Sequence, residues 1–505
     1  MAAKEAHSVS IFAAVTTFGL PLWMGYIILR ILGMRSVDDR YGFLGWMHVT
    51  GCLGIGLYVT AWMTLGLPLV QVMAIPLAMA CAWCHWKIWA YDKATDSTAS
   101  QDTEDQTQTP AYQRIGFAIV VVGILGFGAT AMSAGSASAV TSGDEIRHWT
   151  FKGKMIYAAD GFGPDFVSLA READRPVGFW KAWDEWLVEV WPTLDEDFQK
   201  RTPGPGSKWD YHLDYPLLNP LLHVWAYTCS GKILHWQNRF LITGFTLALM
   251  LILAGALRSL TQPAPLIGSM ILLTVFGMAE TMNALKWSLA DGMVASGLLL
   301  TIDALRRLRL TEDPRWWRMV AIGLAVMLWS KNEGIMYLLC IALGCASIKL
   351  KPNSSLDLAG LSIPLGIISF TWISNQTFGF TNDLVTGKSS GGLERLQPLL
   401  DYFWHEIFTG AWWSQSPDQL LCNFLHLAFF GLLILFPKVA FGPGMRMVTA
   451  TVLAILAGQL LVYLGTPHKL AWHLRESALR VSWQGISVVA LWIGLLSSHL
   501  LSTKR

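Results

Sequence analysis

Residues 316–349 read WWRMVAIGLAVMLWSKNEGIMYLLCIALGCASIK. Two apolar runs, 316–330 and 332–349, are split only by the charged knot Lys331-Asn332-Glu333-Gly334. Arg315 and Arg318 stand before the pair, and Lys349 and Lys351 close it. Crossing ~30 Å of hydrocarbon takes about 20 mostly apolar residues, and cytoplasmic loops collect lysine and arginine. The stretch therefore reads as a helical hairpin with cations inside and the knot outside.

The same pattern extends outward along the whole chain. Further apolar runs lie at 9–32, 43–66, 68–90, 115–140, 216–231, 239–258, 287–304, 357–374, 418–436, 446–466 and 482–500. Of the 505 residues 53% are hydrophobic and only 14% charged, with a mean hydropathy of +0.42. A soluble chain of this length would carry roughly 25% charged residues. The expected fold is an all-α polytopic membrane protein of about 13 transmembrane helices, with interfacial helices in its outer loops. The run at 9–32 is too long for a signal-peptide core and is kept as a mature helix.

Positive charge sets the expected topology. Arg30, Arg35 and Arg40, then Arg306, Arg307, Arg309, Arg315 and Arg318, then Lys504 and Arg505 are placed inside, which puts the N-terminus outside. Residues 141–215, 375–416 and 466–480 then face outward. Residues 264–304 look like two helices where parity allows one crossing. Either 264–283 is a broken or re-entrant segment lining a cavity, or one helix elsewhere is miscounted. The expected division is three leading helices (1–90), a polar linker of low complexity (91–114), a transmembrane core (115–374), an outer loop (375–416) and C-terminal helices (417–505).

Composition also excludes functions. With 37 basic and 35 acidic residues the chain lacks the basic surface that nucleic acid demands. No P-loop, GxGxxG before a helix, or HExxH occurs. The seven cysteines sit in apolar stretches and read as buried thiols. Cys81-Ala-Trp-Cys84-His85 spells a haem-attachment pattern, but on the cytoplasmic side, where it reads as chance. Tryptophans such as Trp23, Trp86 and Trp89 suit the membrane interface.

Four outward clusters carry chemistry. Asp144-Glu145 follows the run at 115–140 and opens the 141–215 loop, whose fourteen acidic residues outnumber nine basic ones. In that loop Trp180, Trp183, Trp186, Leu187, Val190 and Trp191 recur at helical spacing, as in a helix lying on the bilayer. His212-Leu213-Asp214 returns an imidazole and a carboxylate to the same face. Lys331 and Glu333 form the knot, since ionisable residues at membrane depth pair or work. His468, Lys469, His473, Arg475 and Arg480 are cations on a side where topology does not ask for them. Glu280 and Asp291 are expected near that face as well. Carboxylates for proton abstraction beside cations for a phosphate leaving group describe group transfer from a lipid phosphate.

The order and sidedness of these motifs over 115–500 resemble the GT-C membrane glycosyltransferases, especially the bacterial protein-O-mannosyltransferase and aminoarabinose-transferase-like groups. Trp329-Ser330-Lys331-Asn332-Glu333-Gly334 is similar to the charged turn of bacterial members, whereas the three leading helices depart from the usual start of the fold. The resemblance implies inverting transfer of a sugar from a polyprenyl-phosphate-linked donor to an acceptor lipid, glycan or protein, on the periplasmic face of a bacterial inner membrane. It makes Asp144 the general base, with Glu145, His212 and Asp214 orienting acceptor or sugar. Lys331, Arg475 and Arg480 hold the phosphate, and Glu333 positions Lys331. Glu280, Asp291, Arg395 and His473 complete the expected substrate contacts. So many carboxylates would suit a divalent metal, but no cofactor is expected, because lysine and arginine can neutralise the leaving phosphate without one. The competing class is a lipid-linked saccharide transporter or flippase, which would grip the phosphate but need no base. In the 375–416 loop, Lys388-Ser389-Ser390-Gly391-Gly392 precedes a helix apolar on one face, and the pair suggests a lid.

Overall fold

The computed structural model describes residues 11–35, 39–96, 111–137, 145–161, 192, 214–233, 235–260, 265–348, 360–378, 392–404, 417–466 and 469–502. These form helices and short connections, with no strand among them. Seven helices are long and apolar enough to cross a membrane: α1 (Phe12–Ile31), α2 (Arg40–Thr64), α3 (Ala74–Asp96), α4 (Ala111–Ala137), α7 (His235–Leu260), α16 (Arg446–Gly465) and α17 (Leu470–Ser502). Between α4 and α7 lie α5 (Phe151–Ala158) and α6 (Leu218–Ser230). Next come α8 (Pro265–Phe276), α9 (Ala279–Lys286), α10 (Asp291–Thr311), α11 (Arg315–Ser330), α12 (Glu333–Ala346) and α13 (Ser362–Phe378). The order closes with α14 (Leu396–Trp404) and α15 (Pro417–Leu435) before α16. The chain is a helical membrane protein. Among the described residues there are seven long spans, or eight with α8 and α9 as one bent span, against about thirteen suggested by the apolar runs.

Small residues let the helices close on one another. A Cβ on Gly25 would collide with the Met47 carbonyl, and one on Gly51 with that of Pro21, so α1 and α2 cross backbone to backbone. Between α10 and α11, a Cβ on Gly297 would lie 2.7 Å from the Gly323 oxygen, and the reverse holds. Van der Waals contact at small residues is how helices associate where lipid supplies no hydrophobic drive.

One end of the bundle is pinned by arginines. Asp39 caps α2, accepting from the Gly42 N–H at 2.8 Å, and pairs with Arg307 Nη2 at 2.5 Å. Asp303 accepts from Arg306 Nε at 2.9 Å and from Arg307 Nε at 2.7 Å. The Arg307 guanidinium also lies 4.9 Å from the Trp316 ring centroid and 5.6 Å from that of Trp46. Arg315 and Arg318 donate to the carbonyls of Gly33 (2.7 Å) and Leu32 (2.8 Å). Arg306 and Arg307, read from the sequence as loop charges, thus lie buried in the last turns of α10. Their carboxylates come from a point twelve residues along α10 and from the cap of α2, so no loop is needed to solvate them.

The parity conflict resolves at α6. Leu218 packs on Gly56, within α2, while Gln71 donates to the Cys229 carbonyl at 3.3 Å. About 20 Å of helix therefore spans only from the middle of α2 to a point beyond its end, and 216–231 is not a full crossing. Next, α7 runs antiparallel to α2, with Leu241 near His48, Ala248 near Gly45 and Gly255 near Asp39. Helices α8 and α9 must then carry the chain back across, bent by 63°. The re-entrant expectation for 264–283 gives way to a bent full span, because the miscounted helix was α6.

Candidate functional site

At the end opposite Asp39, five elements bring polar side chains together. Asp291 opens α10 and is 2% exposed. Lys331 joins α11 to α12; its Nζ lies 3.3 Å from Asp291 Oδ1 and 2.8 Å from Glu333 Oε1. From α17, Arg480 Nε approaches Asp291 Oδ2 at 3.6 Å, and Gln484 donates closely to Oδ1. Tyr337, on α12, donates to Gln484 Oε1 at 2.9 Å and fixes that amide. Glu280, half-buried on α9, lies within electrostatic reach of Asp291 and Arg480. The cluster is recessed. Trp329, two residues before Lys331, packs on Gly56, and Gly56 lies about 12 Å along α2 from its end at Thr64.

Asp214 stands beside this cluster. Its Oδ2 accepts from Asn332 Nδ2 at 2.7 Å, and its carbonyl accepts from Asn375 Nδ2 at 3.1 Å. The knot thus holds two carboxylates at once, Asp291 through Lys331 and Asp214 through Asn332.

Glu145 has a different setting. Both oxygens are taken by Arg239, Oε1 by Nε at 2.7 Å and Oε2 by Nη2 at 3.0 Å. The Ser288 N–H adds a third donor to Oε1 at 3.1 Å. Glu145 and Arg239 are each 1% exposed. Arg239 also donates to the Gly135 carbonyl, tying α4 to α7. A carboxylate bonded on both oxygens by a guanidinium and by a backbone N–H has little acceptor capacity left for a substrate.

Between these centres α5 turns two lysines inward. Lys152 donates to the Tyr215 carbonyl at 2.7 Å, and Tyr215 stacks on Trp149 with centroids 5.2 Å apart. Burial pulls the Lys152 ammonium down to about 7 against the upward pull of Asp214. Lys154 is likewise brought to about 7 by burial, against the pull of Glu145. Residues two apart on a helix point about 200° from each other, so α5 serves Asp214 on one side and Glu145 on the other.

The remaining expected residues scatter. Arg395 donates to the Thr466 carbonyl at 2.6 Å. His473 packs edge-on to Tyr463 at 5.1 Å, and Arg475 is on the exposed side of α17. Nearby, Leu399 of α14 is buried against Tyr463 and Leu474. Asp144 and His212, the tryptophan-rich stretch of the 141–215 loop, His468, and residues 379–391 and 405–416 of the suspected lid lie outside the described residues. No group of three or more His, Cys, Asp or Glu side chains suited to a metal occurs among the described residues.

The sequence reading passed over Lys152, Lys154, Arg239, Tyr337 and Gln484. The last two carried a usable signal, as polar groups inside apolar runs. Lys152 and Lys154 were counted only in the charge balance of their loop. Compared with protein-family models, curated proteins and solved structures, the chain has no significant match to any of them.

Proposed function

We propose that the chain is an inverting glycosyltransferase of the GT-C kind. It moves a sugar from a polyprenyl-phosphate donor to an acceptor hydroxyl, on the extracytoplasmic side of a membrane such as the bacterial inner membrane. One observation carries the reading: Lys331 and Arg480 meet in a recess, and neither closes tightly on the Asp291 they share, at 3.3 and 3.6 Å. A charge-assisted N–H···O bond is normally 2.7–2.9 Å; Lys331 makes one, to Glu333 at 2.8 Å, and the recess thus gathers two cations around a carboxylate they share more loosely than that.

In the reaction the acceptor oxygen attacks the anomeric carbon, the bond from that carbon to the phosphate oxygen breaks, and the acceptor proton passes to a carboxylate. The departing phosphate gains negative charge, which Lys331 and Arg480 stabilise from fixed positions, without solvent reorganisation. Glu333 orients Lys331, and Gln484, held by Tyr337, orients Asp291. Asp144 is assigned the proton, with Asp214 directing the acceptor. Glu145 is assigned to bracing, since its lone pairs are already engaged. His212 and Glu280 are assigned to substrate contact.

The test is incubation of the purified protein with a panel of radiolabelled polyprenyl-phosphate sugars. Transfer or hydrolysis of one donor is expected, abolished by Asp144→Asn while donor binding persists. A donor that is carried across vesicle membranes intact, with no sugar released, would make the chain a transporter.

A further inference from the structure

Helix α3 carries a cationic and aromatic face that the proposed site does not use. It is the least buried of the seven long apolar helices. Its N-terminal half, Ala74–Ala82, holds no charge, whereas residues 83–93 contain Trp83, Trp86, Lys87, Trp89, Tyr91, Asp92 and Lys93. Asp92 binds Arg30 of α1 at 2.6 Å, which places this half of α3 toward the Asp39 end. Trp83, Trp86 and Trp89 are 61%, 54% and 56% exposed.

Residues Ile75, Met79, Trp83 and Lys87 are spaced by four, so they line one face of the helix, and all are exposed. From Ile75 to Trp83 the stripe runs about 12 Å, comparable to one acyl chain in a single leaflet. At its end Lys87 Nζ lies 4.9 Å from the Trp86 ring centroid and 5.8 Å from that of Trp83. One further turn and a half along, Lys93 Nζ lies 5.4 Å from the Trp89 ring. Among the described residues no carboxylate pairs with either lysine. Both ammonium groups fold back toward Trp83 and Trp89, away from the Asp39 end. Extension toward the near interface would be ordinary snorkelling. Indole faces instead hold the charge at the depth of the aromatic residues, which attracts an anion to that depth.

We propose that this face binds an anionic phospholipid. Its phosphate sits between Lys87 and Lys93, the indoles flank the glycerol region, and one acyl chain follows Trp83, Met79 and Ile75. Lys87 and Lys93 stand about 120° apart around the helix, with Trp86 in the arc between them and Trp89 just outside it. Cations at the head and an apolar track behind match an acidic amphiphile, and two exposed lysines disfavour a second copy of themselves.

The test uses the full chain reconstituted in phosphatidylcholine bilayers containing a minor fraction of spin-labelled phosphatidylglycerol. Wild type is expected to immobilise phosphatidylglycerol over labelled phosphatidylcholine by about fivefold, the scale of one basic residue at an anionic surface. The double substitution Lys87→Gln with Lys93→Gln should bring the ratio to parity, and Lys87→Arg should keep it. Replacing the exposed Lys438 by Gln should leave the ratio alone. Equal selectivity in wild type and the double variant would overturn the proposal, as would an equal loss on Lys438→Gln. Efficient disulfide dimerisation of a Trp86→Cys variant in the bilayer would assign the face to a second copy instead.

Discussion

Replacing Glu145 by Gln separates bracing from catalysis. The wild-type carboxylate takes two hydrogen bonds from Arg239 and one from the Ser288 N–H, with both charged partners 1% exposed. Glutamine keeps the shape and one acceptor oxygen. Its NH2 faces a guanidinium that only donates, and Arg239 is left buried with its charge unmatched. One lost charge-assisted bond costs about 1.5–3 kcal/mol, and leaving the Arg239 charge unmatched brings the loss toward the ~3–5 kcal/mol for removing one partner of a buried ion pair. The assay is the melting temperature of the detergent-solubilised protein, followed by size-exclusion recovery, beside turnover measured well below the melt. Melting should fall by several degrees, and the fraction still folded should keep near-normal turnover. A second substitution, Arg239→Met, should restore much of the loss, because a buried pair replaced as a unit is often neutral. Melting within a degree of wild type, together with lost turnover, would refute the bracing role and return Glu145 to the chemistry.

Three further outcomes are expected. Lys331→Met and Arg480→Gln should each weaken polyprenyl-phosphate binding by about 10–100-fold, from the loss of one charge-assisted contact; unchanged affinity in both would leave the cluster without a phosphate. Lys152 and Lys154 have ammonium groups near 7 in the folded chain against an ordinary 10.5. Between those values the unfolded chain binds more protons, so stability should climb as pH rises from about 7 toward 10 and flatten below 7; a Lys152→Met, Lys154→Met variant with the same slope as wild type would contradict this. Asp303→Asn should lower the melting temperature without altering donor affinity, since Asp303 lies about 18 Å along α10 from Asp291; a matching loss of donor binding would mean the two ends are coupled.

Legibility of the sequence followed the physics of each signal. Long apolar runs mark helices α1, α2, α3, α4, α7, α16 and α17 with little ambiguity, because hydrocarbon thickness sets a length that short core helices rarely reach. Residues 216–231 defeat the same rule. Their composition matches a span, yet all of Leu218–Cys229 is buried among neighbouring helices rather than facing lipid. Hydropathy counts apolar surface and cannot tell which solvent covers it. At the site, the knot at 331–333 was legible because charge between two apolar runs must find partners, and the structure supplies Asp291, Glu333 and Asp214. Arg480 was found by sidedness, whereas Arg475, chosen on the same ground, stands exposed five residues away. Sidedness fixes the end of the bundle and says nothing of helical phase.

The two ends of α10 differ in how their charges are satisfied, and that difference bears on function more than burial does. At the Asp39 end the arginine–carboxylate contacts lie between 2.5 and 2.9 Å, and two carboxylates face two arginines. Such a set has little residual field, and a ligand phosphate would have to break short bonds to enter. At the Asp291 end Lys331 closes on Glu333 at 2.8 Å, but the shared Asp291 is approached by Lys331 and Arg480 only at 3.3 and 3.6 Å, with an uncharged glutamine making its closest contact. Buried charges held at such distances forgo part of their attraction while keeping much of their desolvation cost. A fold selected for stability alone would shorten those contacts or replace them by apolar side chains, as it has around Gly297 and Gly323 one turn or more deeper. Two cations, Lys331 and Arg480, kept in that recess at such a cost are the feature the proposed donor phosphate would use.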